Sequence, residues 1–104
     1  MENIKALAEK TLTLFPNVID ISDGELRDDN GFYSKNLSDA WHKAEAKNVI
    51  TGNDVDFMIW AIFGLLHRKS RENYLKGIHK VTLKEISIES IEEEYKNVIK
   101  ESNL

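Results

Sequence analysis

The ten residues Phe57–Leu66, FMIWAIFGLL, form the only long apolar run in the chain. Everything around them is short, charged or amphipathic, so the remaining elements must pack on this segment. Its length favours helix over strand. Asp54 and Asp56 stand before it, where negative charge suits the positive end of a helix. His67, Arg68, Lys69 and Arg71 follow, with the sign that suits the opposite end. Thr51 or Asn53 is the expected capping residue. A helix that is apolar nearly all round is buried or lies in lipid. Spanning a bilayer takes about 20 apolar residues, and this run is half that, so a central core helix is expected. The competing reading exposes one face, with Trp60 and Met58, to a partner. Gly64 interrupts the run at a cost of about 1 kcal/mol relative to alanine. Close approach of another element is the expected reason, and a ligand contact the second.

Two amphipathic helices precede this segment. Residues 2–15 place Ile4, Leu7, Ala8, Leu12 and Phe15 near one face, and Pro16 ends the helix. Residues 36–48 place Leu37, Ala40, Trp41 and Ala44 on an inner face, with the start at Asn36 or at a Ser38 cap. Beyond the central run, helix is expected to continue to about Lys76, with Gly77 as its stop. A final helix carries Ile88, Ile91, Tyr95, Val98 and Ile99, capped by Ser87 or Ser90; Ser90 with Glu93 fits a capping box. Val18–Ile21 and Val81–Ile86 are short candidate strands, expected side by side. The fold class is therefore mainly α: residues 1–104 as a single domain of about four helices around a buried central helix, with room for a minor two-stranded element.

At 104 residues the chain can bury a core without disulfides or metals. It contains no cysteine, which excludes a disulfide framework, a thiolate metal site and a cysteine nucleophile. Charges at Glu2, Lys5, Glu9 and Lys10 interrupt any signal-peptide core, so a cytoplasmic protein is expected. The net charge of −4 is unevenly distributed. Residues 1–66 hold six Lys/Arg against eleven Asp/Glu, residues 67–84 six against one, and residues 85–104 two against six.

The segment SDGELRDDNG, residues 22–31, reads as an acidic loop. Asp20, Asp23, Glu25, Asp28 and Asp29 face only Arg27, and Phe32 and Tyr33 follow directly. Aromatics beside exposed charge are frequent anchors at protein interfaces; they serve equally well as staples that pin a loop to the core. An EF-hand is excluded, because position 1 would be Leu26 counted from Gly31, or Ile19 counted from Gly24. His67 and His79 lack a third ligand at metal spacing. Neither a metal nor a cofactor is expected. Glycine-rich phosphate loops, GxSxG and HExxH are all absent.

These features favour a binding protein over an enzyme. The leading expectation is an inhibitor of one protein partner, such as the immunity protein of a bacterial toxin with a basic nuclease domain. Its contact residues would be Asp20, Asp23, Glu25, Asp28, Asp29, Phe32 and Tyr33, since negative charge steers association with a basic surface. The runner-up is a nucleic-acid-binding regulator using Arg68, Lys69, Arg71 and Lys76 of the basic 67–84 segment. A chain with acidic balance makes that reading weaker. A third expectation is a small enzyme or ligand carrier using His42, His67 or His79.

Overall fold

The computed structural model describes residues 3–49 and 52–102. The central segment is a helix, here α3, Asn53–Leu75. It packs against α1 (Ile4–Leu12), α2 (Lys35–Lys47) and α4 (Ile88–Ser102). Met58, Ile59, Ala61, Ile62 and Leu66 are buried along it. They meet Leu7 and Ala8 of α1, Leu37, Ala40 and Ala44 of α2, and Ile91 and Tyr95 of α4 in one apolar core. Among the described residues the fold is mainly α with four α-helices, as expected.

The helix ends show which local forces decided. Pro16 does stop α1, but three residues earlier than the expected Phe15. Leu14 and Phe15 bond back to Thr11 and Leu12, tightening the chain into a turn, and Phe15 still reaches the core. At the end of α3 the amide of Gly77 donates to the Tyr74 carbonyl and that of Ile78 to the Asn73 carbonyl. Gly77 has φ 79°, the left-handed conformation this closing motif requires. The expected stop is therefore formed. The cations Arg68, Lys69 and Arg71 lie before the last turn, which contains none, so the helix dipole is not what holds them.

Two caps differ from expectation, and the third is one of the two residues expected. Gly52 precedes α3 without a side-chain bond and Asn53 is already helical; Thr51 lies outside the described residues. Ser34, not Asn36 or Ser38, starts α2 by accepting the Leu37 amide at 3.3 Å. Ser87 precedes α4 and accepts the Ser90 amide at 3.2 Å, so Ser90 is inside the helix. The reciprocal cap falls elsewhere. Glu85 accepts from the Thr82 amide at 2.6 Å and its hydroxyl at 3.1 Å, in the short 3-10 turn Leu83–Glu85.

Two small antiparallel sheets complete the fold. β1 (Val18–Asp20) pairs with β4 (Lys80–Thr82), aligning Ile19 with Val81, and both are buried. This is the pairing the sequence suggests. The second sheet takes one strand from inside the expected acidic loop and the other from the two aromatics that follow it. β2 (Glu25–Leu26) pairs with β3 (Phe32–Tyr33), aligning Glu25 with Tyr33. The Arg27 amide donates to Gly31 and the Asn30 amide to Arg27, with Asn30 at φ 64° closing the turn. Phe32 lies over Gly24, where a Cβ would sit 2.3 Å from its ring.

Candidate functional site

The side of α3 that leaves the core is aromatic. Trp60, Phe63, Gly64 and His67 recur at helical spacing along it. Antiparallel α2 presents Leu37, Ser38, Trp41 and His42 to the same side; its C-cap Asn48 donates to Asp56 at 3.0 Å, at the start of α3. Phe32, Tyr33 and Ser34 close one end. Together they line a groove of about 530 Å³.

Its walls are ring on ring. Trp41 meets Trp60 edge-on at 5.4 Å and Phe63 at 4.9 Å between centroids. Phe63 stacks on His67 at 6.2 Å, and His67 meets Phe32 edge-on at 6.0 Å. Such contacts fix ring orientation and add about 0.5–1.5 kcal/mol each beyond area burial. Trp60 is nevertheless 61% exposed, while Met58, the other residue expected on a partner face, is fully buried. No lysine or arginine lines the groove. Burial lowers the His67 pKa, with the nearby Arg71 charge acting in the same direction, so the imidazole is neutral at pH 7.

Gly64 lies in this groove. Among the described residues outside its own helix, only the Glu94 carboxylate oxygen of α4 comes near a Cβ placed there, at 3.4 Å, so the neighbouring element approaches with a side chain and not with its backbone.

The residues expected to bind a partner divide into three groups. Asp20 and Asp23 serve the fold. The Asp20 carboxylate accepts the Ser22 amide at 2.8 Å, and bonds to Ser22 lower its pKa. Asp23 accepts from the Ser34 hydroxyl at 2.9 Å and the Asn36 amide at 3.1 Å, so it caps α2 together with Ser34. Phe32 is only 4% exposed and is a staple, not an outward anchor; its ring forms the inner wall of the groove. Glu25, Asp28, Asp29 and Tyr33 are exposed, as Asp20 and Asp23 also are. Asp29 accepts the Gly31 amide at 2.9 Å and shapes the turn. Tyr33, 40% exposed, carries the Arg27 guanidinium 4.8 Å over its ring.

Trp41 and Phe63 were in no expected site; Trp60 was expected only in the competing partner-face reading, and His42 and His67 only in the ligand-carrier reading. The readable signal was a tryptophan on each of two neighbouring helices, with a glycine one turn from Trp60. Three of the six cations of the basic segment are paired: Arg68 with Glu94, and Lys69 and Lys76 both with Glu72, at 3.5 and 3.3 Å. Among the described residues no group of three His, Cys, Asp or Glu side chains is placed to hold a metal. No helix there is long and apolar enough to cross a membrane.

The fold and groove define a small helical domain with an exposed aromatic cleft beside an acidic hairpin. Compared with protein families, curated proteins and solved structures, the chain matches none.

Proposed function

We propose that this protein works by binding another protein, and that it is an inhibitor of the immunity-protein kind, covering the basic active-site surface of a toxin such as a nuclease. One observation carries the reading: exposed Tyr33 and Trp60 both line an aromatic groove, and the hairpin that contributes Tyr33 also carries Glu25, Asp28 and Asp29. Desolvated aromatic anchors supply affinity, and the carboxylates supply steering and selection for a basic partner. The three paired cations weaken the nucleic-acid alternative, because phosphate contact would have to displace their carboxylate partners. An inhibitor of this kind acts in the cytoplasm of a bacterial host, before the toxin reaches its substrate.

The test is co-expression with the product of each gene adjacent to its own. The expected result is one product that arrests growth alone, is tolerated alongside this protein, and purifies with it as a stoichiometric complex. Harmless neighbours, or arrest that persists on co-expression, would sink the inhibitor reading. A ligand carrier, third among the sequence-based expectations, becomes the second reading, favoured by His42 and His67 on a groove of ligand size.

A further inference from the structure

The groove continues past Trp60. The same indole also lines a second hollow, about 360 Å³, with Phe57, Val98, Asp56 and Glu101. No lysine or arginine lines this hollow either. A hollow that brings an exposed indole together with two carboxylates is matched to a cationic side chain: the ring attracts it electrostatically and the carboxylates complete its charge. One turn along α3, Gly64 lines the largely apolar groove without a side chain, the Glu94 carboxylate oxygen standing 3.4 Å from its missing Cβ. The two positions are about 6 Å apart along the helix axis, since four residues rise 1.5 Å each. That spacing equals the separation of residues i and i+4 on a second helix.

We propose that the groove seats an amphipathic basic helix of a protein partner. An apolar side chain of that helix enters at Gly64, and a lysine or arginine four residues away lies over Trp60 between Asp56 and Glu101. This deepens the protein-binding reading and rests on it for the partner's biological identity, though not for the chemistry of the groove. It also explains the glycine. Packing inside the protein does not require Gly64, whereas a side chain arriving from outside does.

Both tryptophans of the chain, Trp41 and Trp60, line the groove, so tryptophan emission reports on this site and no other. The experiment titrates the protein with a synthetic leucine–lysine amphipathic helix and with its leucine–glutamate counterpart. A saturable change with the lysine peptide alone is expected. Gly64→Leu, which changes no charge, should weaken it about tenfold or more, the scale of losing one anchor. Glu101→Gln should weaken it more than Glu89→Gln, which removes the same charge about 18 Å away along α4. Circular dichroism checks that each variant is folded. Equal binding of the acidic peptide, absence of saturation, or full affinity in Gly64→Leu would overturn the proposal. Peptide binding without any neutralised gene neighbour would leave the groove standing and remove the inhibitor reading; the reverse would remove only the basic-helix occupant.

Discussion

At the scale of single residues, Gly64 and Glu85 show how differently a structure can use one position. Gly64 weakens α3 without a packing reason, because only the end of the flexible Glu94 side chain lies near its missing Cβ. Gly64→Ala should therefore raise stability by about 1 kcal/mol, the helix-propensity difference, read as an upward shift in a thermal melt. An unchanged or lowered melting temperature would mean that the site is crowded after all. Glu85 is the opposite case. It ties the Thr82 amide and hydroxyl to Asn73, whose amide also donates to the Lys80 carbonyl at 3.0 Å. One carboxylate thus fastens β4 and the 3-10 turn to α3. Glu85→Ala should cost about 1–2 kcal/mol, as lost caps do, measured by denaturant unfolding. The sequence offered Ser90 with Glu93 for the same pattern. Thr82 with Glu85 fits the spacing equally well, and only the pairing of β4 with β1 decides between them.

Among the elements, the helices and the β1–β4 pair were legible, and the β2–β3 hairpin was not. The long helices carry apolar residues at a helical period that nothing else in the chain imitates. Ile19 and Val81 likewise betray a pair of buried strand centres. Each hairpin strand is two residues long, too short for alternation to be seen. What organises it is tertiary: the Phe32 ring on Gly24, and Asp23 reaching across to cap α2. An acidic residue in a loop looks the same in sequence whether it awaits a partner or holds a helix end, so Asp23 and Asp28 could not be separated in advance. They separate by experiment. Asp23→Ala should destabilise the fold by about 1 kcal/mol through the lost cap. Asp28→Lys with Asp29→Lys should leave the melting temperature nearly unchanged while reducing partner association rate and its salt dependence. Equal loss of stability in both variants would show the hairpin tip to be structural throughout.

For the whole molecule, one amphipathic division explains both fold and site. α3 gives its aliphatic side to the core and its aromatic side to the groove, and α2 shares the arrangement through Trp41. The core half was readable because burial follows hydrophobicity. The groove half was not, because Phe57–Leu66 looks apolar on every side, and nothing in its pattern says that Trp60 is left 61% exposed. His67 sits on the boundary between the two, against Phe32 and Phe63 and near Arg71. This position links the groove to stability. Burial, then the Arg71 charge, lowers the His67 pKa from its ordinary value of 6.5. The unfolded chain therefore takes up a proton near pH 6.5 that the folded protein resists, and stability falls as pH drops through that value. The carboxylates add a later loss in the same direction. In Glu72, bonds and charges from Lys76 and Lys69 lower the pKa from 4.5. In Glu85, burial raises it, but the combined bonds from Thr82 and Asn73 outweigh burial and lower it from the same 4.5. Stability from both is present above 4.5 and lost below it. Melting temperature should accordingly decline in two stages on acidification, the first beginning near pH 6.5. His67→Gln should remove the first stage and keep the second. A variant that still shows the early decline would place its origin at another group and leave His67 a neutral part of the groove wall.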